Sequence, residues 1–159
     1  MNVRIICIGK LKEKYWTDAV SEYSKRIKRF SGLEIVELKE SLLPANASQK
    51  DEEKVKEEEG REILRAIKKD EYVITLEING RSLSSEEMAS KLADLGLEGH
   101  SNIAFIIGGS LGLSPEVSAR ANFKLSFSSM TFPHQLMRVI LLEQIYRSFK
   151  INNHETYHK

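Results

Sequence analysis

The chain has 159 residues, 41% of them hydrophobic, and a formal net charge of +1 at pH 7. This length suits one well-buried domain and excludes two comfortable ones, so we expect a single domain spanning residues 1–159. No apolar run approaches the roughly 20 residues of a membrane span, and the first apolar segment is too short for a signal peptide. These patterns predict a cytoplasmic protein with no membrane segment.

The first half of the chain alternates predicted strands and helices. Val3–Gly9 is typical of a buried strand, and Trp16–Phe30 carries apolar residues at spacings of three and four, which predicts an amphipathic helix. Leu33–Leu38 alternates as a second strand. Ser41–Gln49 predicts a loop before a long charged helix that ends near Lys69.

The second half continues this alternation. Asn79-Gly80 predicts a turn, and Ser84 with Glu87 forms a capping box at the start of a helix. The predicted strands are Tyr72–Ile78, Asn102–Ile107 and Phe123–Phe127, and the predicted helices run from Ser84 to about Leu95, from Pro115 over a short stretch, and from Pro133 to about Lys150. Repeated strand-helix order predicts an α/β fold with a parallel sheet flanked by helices.

Charge is distributed unevenly along the chain. Residues 1–30 contain eight Lys or Arg against three acids, whereas the middle of the chain is acidic. The basic residues of this segment either line one surface that faces phosphates or belong to ordinary solvated helix faces. Those outside the first strand are Lys10, Lys12, Lys14, Lys25, Arg26, Lys28 and Arg29.

Two residue types that often carry chemistry give little signal here. The only cysteine, Cys7, lies within the first strand, which favours a small buried hydrophobe over a nucleophile. No spacing of His, Cys, Asp or Glu indicates a metal site, so we expect none.

The last helix is apolar around more of its circumference than covering one sheet requires. Its apolar residues are Leu136, Met137, Val139, Ile140, Leu141, Leu142, Ile145, Tyr146 and Phe149. A second surface is expected to bury the surplus, which predicts a homodimer packed through this helix. The alternative is a helix buried wholly within its own domain.

Two turns in the last third of the chain are the candidate site. The first, Phe105–Ser114, is rich in glycine, and the second, Leu125–Arg138, is rich in serine. Each leaves a predicted strand and enters a predicted helix, so both belong at the carboxyl edge of the sheet, where open α/β folds bind ligands. The glycine spacing matches neither a dinucleotide fingerprint nor a P-loop, so an adenosine-like ligand in an apolar slot fits better than a phosphate.

The order of these motifs resembles the RlmH family of SPOUT-class methyltransferases. It is carried by Leu76–Gly80, Phe105–Ser114, Phe127–Arg138 and the closing Tyr157-His158-Lys159, and it extends along essentially the whole chain. The resemblance implies an enzyme that uses S-adenosyl-L-methionine to methylate N3 of a pseudouridine in 23S ribosomal RNA. It further implies a homodimer and a deep C-terminal trefoil knot, within roughly residues 72–150.

Carried over position by position, the family's cofactor contacts fall on the ends of three predicted strands. They are Leu76, Gly108, Phe127, Ser128, Ser129, Met130, Thr131 and Phe132. Plain strand packing for Leu76 and Phe127, and turn or cap roles for the hydroxyl residues, are the alternatives.

Methyl transfer to an imide nitrogen needs alignment and loss of the N3 proton, but no metal or covalent nucleophile. The catalytic candidates are His134, Arg138, Tyr157 and His158. His134 and Arg138 are one helical turn apart, although Arg138 could instead only pair with Glu143. By composition the tail, residues 151–159, is disordered, whereas the resemblance implies that it completes the active site, reaching across the dimer.

Three functions remain open at this point. The first is an RNA methyltransferase that acts on the large subunit or the assembled ribosome, and the second is a noncatalytic ribosome-associated RNA-binding factor. The third is a nucleotide-binding oxidoreductase, which the missing dinucleotide fingerprint disfavours. Retention of Gly108 and of the whole Phe127–Phe132 segment favours the first over the second, because a pure RNA binder has no need of a cofactor slot.

Overall fold

The computed structural model describes residues 1–159, in which five strands alternate with five helices. The strands are β1 (Asn2–Ile8), β2 (Gly32–Leu38), β3 (Tyr72–Ser82), β4 (Asn102–Ile107) and β5 (Phe123–Ser126). The helices are α1 (Lys14–Ile27), α2 (Gln49–Ala66), α3 (Ser85–Leu97), α4 (Pro115–Arg120) and α5 (His134–Asn152). Each strand and helix predicted from the sequence is present, with ends that differ by a few residues.

The five strands form one sheet in the order β2-β1-β4-β3-β5, and every neighbouring pair is parallel. This confirms the predicted α/β fold. All five strands therefore end at the same side of the sheet, called here the carboxyl edge. The trefoil knot stays a prediction.

Helices cover both faces of the sheet, because alternate residues of each strand point in opposite directions. In β1, Ile5 and Cys7 belong to the larger core cluster, which α1, α3 and α5 cover. Ile6 and Ile8 point the other way, into a smaller cluster that includes residues of α2 and α4. Cys7 is fully buried, and burial raises the pKa of its thiol to about 11. Its expected place as a buried hydrophobe is confirmed.

The predicted turn at Asn79-Gly80 is wrong, because β3 continues through these residues to Ser82. The pairing of β3 with β5 is interrupted after Leu76 and resumes at Arg81, which leaves a bulge between them. A Cβ atom on Gly80 would lie 2.7 Å from the backbone oxygen of Lys124. Gly80 therefore allows the backbones of β3 and β5 to approach closely, which is a common reason for a glycine within a strand.

Helix α2 ends at Ala66, before the end predicted near Lys69. Glu71 accounts for the early end, since its carboxylate accepts the backbone N–H of Lys68 at 2.7 Å. Arg4 pairs with the same carboxylate at 2.8 Å and donates to the carbonyl oxygen of Ala66 at 3.0 Å. These contacts satisfy the end of the helix and hold the turn that leads into β3.

The apolar surface of α5 is largely buried within its own chain. Tyr146 packs near Tyr23 and Phe30 of the α1 region, and Phe149 stacks on Phe30 with ring centroids 5.8 Å apart. Helix α3 packs on the other flank of α5, and both helices share the larger core with it. The breadth of the apolar surface therefore does not require a second copy. The homodimer rests on the family resemblance and stays a prediction.

The basic residues of the first thirty positions do not form one surface. Lys10, Lys12 and Lys14 lie at the carboxyl edge, where β1 leads into α1. The other end of α1 lies at the opposite edge, since the hydroxyl of Ser31 donates to the carbonyl oxygen of Met1. There Arg26 pairs with Glu22 at 3.0 Å and lies over the ring of Tyr23. The single phosphate-facing surface is thus replaced by two separate groups.

No helix combines the length and apolar character needed to cross a bilayer.

Candidate functional site

Three chain segments meet around a cavity at the carboxyl edge of the sheet. They are residues 76–78 at the bulge of β3, residues 107–113 after β4, and the segment that joins β5 to the first turns of α5. The cavity has a volume of about 650 Å³, within the range of roughly 300–1,000 Å³ that is usual for small-molecule sites. The two turns singled out in the sequence therefore belong to one cavity.

Most of the predicted cofactor-binding residues line this cavity. The lining residues among them are Leu76, Gly108, Phe127, Ser128, Met130, Thr131 and Phe132. Ser129 is not among the lining residues, although its neighbours on both sides are. The side chain of Ser128 accepts the N–H of Met130 at 3.0 Å, which shapes the serine-rich turn. Met130 is 72% exposed and forms an apolar rim together with Phe132.

The glycine-rich turn owes its glycines chiefly to its own packing. A Cβ atom on Gly108 would lie 3.0 Å from the carbonyl carbon of Gly112, and one on Gly109 would lie 2.9 Å from a carboxylate oxygen of Glu59. Gly112 has φ +82°, a backbone conformation that residues other than glycine rarely adopt. These contacts, more than access for a ligand, explain why the turn is built from glycine.

Glu59 lies behind the glycine-rich turn and is 4% exposed. Its carboxylate accepts the backbone N–H of Ser41 at 3.1 Å. Burial raises the pKa of Glu59; the hydrogen bond from Ser41 opposes this change, while Glu40 and Glu58 add to it. Many other side chains of this charged helix are exposed, so the buried Glu59 is an exception on α2.

His134 is the first residue of α5 and lines the cavity. Its Nδ1 is buried without a hydrogen-bond partner. Its Cε1 lies 3.7 Å from the place where a side chain on Gly9 would begin, so the end of β1 packs directly beside the ring. Arg138 Nε is likewise buried without a partner, and such polar atoms are costly to leave unsatisfied.

Arg138, one turn further along α5, is buried and only 1% exposed. It pairs with Glu37 of β2 at 2.7 Å and donates to the carbonyl oxygen of Gly9 at 3.1 Å. The predicted alternative, a pair with Glu143, does not form. Arg138 is not among the cavity-lining residues, and its guanidinium instead fastens the start of α5 to the ends of β1 and β2.

The C-terminal tail is not disordered, contrary to the indication of its composition. The hydroxyl of Tyr157 donates to Glu143 of α5 at 2.9 Å, and the ring of His158 lies between Arg147 and Glu86, at 3.2 Å and 2.7 Å. These five side chains are called here the C-terminal cluster. Glu143 and Arg147 were missed as candidates, although their spacing of four along a helix was a readable signal.

The C-terminal cluster shifts the pKa values of groups within it and beside it. Burial raises the pKa of Tyr157, and its hydrogen bond to Glu143 acts in the same direction. The hydrogen bond with His158 lowers the pKa of Glu86. Tyr23 lies nearby, and burial, with a further contribution from Glu143, raises its pKa to about 12. The cluster therefore holds both tyrosines protonated and favours a charged carboxylate beside His158.

The C-terminal cluster and the cavity are separate within one chain. Neither Tyr157 nor His158 lines the cavity. Along α5, His134 and Glu143 are nine residues apart, which at ~1.5 Å per residue is about 14 Å. The four catalytic candidates are therefore divided between two places, with His134 at the cavity, Arg138 behind it, and the two tail residues at the cluster.

Glu77 is a further lining residue that the sequence analysis did not single out. Its carboxylate accepts hydrogen bonds from the hydroxyls of Thr75, at 2.6 Å, and Ser118, at 2.8 Å. No group of three or more His, Cys, Asp or Glu side chains is arranged to hold a metal ion.

Comparison with solved structures agrees with the fold. A probable methylase family protein from Haemophilus influenzae Rd KW20 superposes with a TM-score of 0.55 at 14% sequence identity, covering 99% of this chain and 70% of that one. At this identity the likeness concerns the fold alone.

Comparison with sequences is far more specific. The family model described as Predicted SPOUT methyltransferase matches residues 1–158. A protein of Clostridium novyi (strain NT) named ribosomal RNA large subunit methyltransferase H is 63% identical over the full length of both chains. The protein of the same name from Clostridium beijerinckii is 58% identical, again over the full length of both. The chain therefore belongs to the SPOUT methyltransferases, in the family of ribosomal RNA large subunit methyltransferase H.

Proposed function

We propose that this protein uses S-adenosyl-L-methionine to methylate N3 of a pseudouridine in 23S ribosomal RNA, on the large subunit or the assembled ribosome, in the cytoplasm. The observation that carries the proposal is the cavity at the carboxyl edge, which gathers seven of the eight positions expected to bind the cofactor. The full-length relatives named as ribosomal RNA methyltransferases support the choice of RNA as the methyl acceptor.

The residues of the cavity fit the cofactor. Phe127, Leu111 and Leu113 offer apolar surface for an adenine ring, and the turns around Gly108 and Thr131 offer backbone donors and acceptors. The volume of about 650 Å³ leaves room for the methionine portion beside the nucleoside. When bound, S-adenosyl-L-methionine supplies the reactive methyl group, so the side chains need only align the two reactants and manage one proton.

His134 is a lining residue of the cavity and is the candidate for a direct role there. It lines the cavity and carries an unpartnered Nδ1, so the ring has capacity to accept or donate one further hydrogen bond. We assign it to orienting the target base or assisting loss of the N3 proton. Arg138 acts through position, because its bonds to Glu37 and to Gly9 hold the residue against which the ring of His134 packs.

Tyr157 and His158 are assigned to the acceptor side of the reaction, in a cavity of the second copy of a homodimer. Within one chain they bond to residues of α5 and α3, and neither lines the cavity. In a homodimer, the cavity of a second copy could face this cluster, which would bring tail residues and a cavity together. The aromatic ring of Tyr157 and the cation of Lys159 suit an unpaired RNA base and its phosphate.

A transfer experiment tests the proposal. Purified protein is incubated with methyl-labelled S-adenosyl-L-methionine and with ribosomes, large subunits or naked 23S RNA from cells that lack the gene. We expect label on a single pseudouridine of the large subunit, identified by nucleotide analysis. Cofactor binding with no transfer to any of the three substrates would instead support a noncatalytic RNA-binding factor.

A further inference from the structure

The cavity at the carboxyl edge is lined by a single charged carboxylate and by no Lys, Arg or Asp. Nineteen residues line it, ten of them hydrophobic, and Glu77 is the only acidic residue among them. His134 also lines the cavity. One negative charge in a mainly apolar cavity acts over a longer range than it would in water.

The carboxylate of Glu77 is held in place by the protein. One oxygen accepts the hydroxyl of Thr75, which is fully buried in the same strand, and the other accepts the hydroxyl of Ser118 on α4. The residue directly follows Leu76, where the pairing of β3 with β5 is interrupted. Both oxygens therefore have one hydroxyl donor and no cationic partner, so the negative charge of the group is not neutralised within the chain.

We propose that Glu77 makes the cavity bind the methyl donor, whose sulfur is positively charged, more tightly than the product, whose sulfur is neutral. The inference rests on the proposed use of S-adenosyl-L-methionine. In the transfer, the bond from carbon to sulfur breaks, a bond from carbon to the deprotonated N3 forms, and the electron pair of the broken bond stays on sulfur. The sulfonium becomes a neutral thioether, while the amino acid and adenosine groups of the ligand keep their charges. Glu77 therefore loses one attraction each time the reaction takes place.

This loss of attraction favours exchange of product for fresh donor. Donor and product share every other group, so apolar contacts and backbone hydrogen bonds bind both nearly equally. The fixed negative charge of Glu77 attracts the sulfonium of the donor but not the neutral thioether of the product, so it makes the two affinities differ. Glu77 is thus a residue that determines specificity between the two forms of the cofactor and takes no part in moving the methyl group or the proton.

Titration calorimetry with Glu77→Gln tests the assignment, using S-adenosyl-L-methionine and S-adenosylhomocysteine as separate ligands. Glutamine keeps the shape but carries no charge. Its amide oxygen can accept one of the two hydroxyls, and its NH2 group can donate to the oxygen of the other. We expect the donor to bind roughly three- to tenfold more weakly, as for loss of one charge pair in a partly hydrated cavity, and the product to change by less than about twofold. The ratio of the two dissociation constants is the readout.

Two control variants separate charge from structure. Glu98→Gln removes an exposed carboxylate at the end of α3, on the opposite edge of the sheet, and should leave the ratio unchanged. Ser118→Ala removes one hydroxyl donor while keeping the charge of Glu77, so it too should preserve the preference for the donor.

Each outcome bears on a different claim. An unchanged ratio in Glu77→Gln, or an equal loss of affinity for both ligands, would overturn the assignment and leave the proposed function intact, with Glu77 acting only as a link between β3 and α4. Wild-type protein that binds neither ligand would overturn the proposed function, and the assignment of Glu77 with it.

Discussion

The cavity and the C-terminal cluster differ in how they are built. The cavity is formed by backbone turns at the ends of three strands, with apolar walls and one carboxylate. The C-terminal cluster is formed by side chains of two helices and the tail, which are joined to one another by hydrogen bonds and an ion pair. The first offers apolar surface and backbone groups to a nucleoside-like ligand, and the second offers an aromatic ring among paired polar side chains. In the proposed function, the cavity would hold the methyl donor and the C-terminal cluster would meet the RNA.

Removal of residues 155–159 is the strongest test of this division. We expect methylation to fall by at least a hundredfold, because Tyr157 and His158 are lost, while affinity for S-adenosyl-L-methionine stays within about twofold, because the cavity is untouched. Transfer of labelled methyl groups to ribosomes and calorimetry with the cofactor measure the two effects. Activity that survives the truncation would remove the tail from the site.

Mixing two inactive variants sharpens the same prediction. Gly108→Val should block the cavity, since even a Cβ atom there meets Gly112 and Leu113 at 3.0 Å, while it leaves the tail intact. Co-expressed with the truncated chain, it should restore part of the methylation if the tail of one copy serves the cavity of the other. If tail and cavity act within one copy, the mixture stays inactive.

Arg138→Met should give an intermediate effect, on stability. The variant leaves Glu37 without its buried partner and removes the bond to Gly9, so we expect a loss of about 2 kcal/mol in the free energy of unfolding. Urea denaturation measures this value. Arg26→Met breaks an exposed pair on α1 and is the matched control, with an expected loss below about 0.5 kcal/mol. Equal losses in the two variants would contradict a positioning role for Arg138.

Glu59→Gln should give the smallest effect, and one that depends on pH. Burial raises the pKa of Glu59 in the folded protein, so stability is fully present below the ordinary pKa of a glutamate and is lost as the pH rises from there through the raised pKa. The variant should therefore gain more in melting temperature at pH 7 than at pH 4. Thermal unfolding at pH 4 and pH 7 measures the change in melting temperature. Glu57→Gln, at an exposed position of the same helix, is the control. A gain that is larger at pH 4 would contradict the assigned direction.

The sequence predicted the alternation of strands and helices because that alternation depends on local apolar periodicity, which is visible residue by residue. It also predicted the cavity, since turns that follow parallel strands must meet at one edge. Asn79-Gly80 was misread because the same dipeptide serves a turn or a bulge, and only the neighbouring strand β5 distinguishes the two. Sequence pattern predicts strands and helices well because their formation depends on residues that are neighbours in the chain.

The tail and Arg138 could not be placed from the sequence for a related reason. Residues 151–159 have a composition typical of a disordered end, and their order comes from contacts with Glu143, Arg147 and Glu86, which lie far along the chain. Arg138 has its partners in β2 and at the end of β1. Glu77 was overlooked because one acidic residue in a strand has no distinctive spacing.

The bond from Arg138 to the carbonyl oxygen of Gly9 joins residues that are 129 positions apart. Synthesis proceeds from the N-terminus, so β1 and β2 are made long before the helix that fastens their ends. Through that interval β1 also lacks its other neighbour, β4, and cannot be buried on both sides. We therefore expect the growing chain to stay unfolded until nearly all of it has been made, and then to close slowly through distant contacts. A chain interrupted before α5 would expose apolar strands, which makes it a natural substrate for chaperones and proteases.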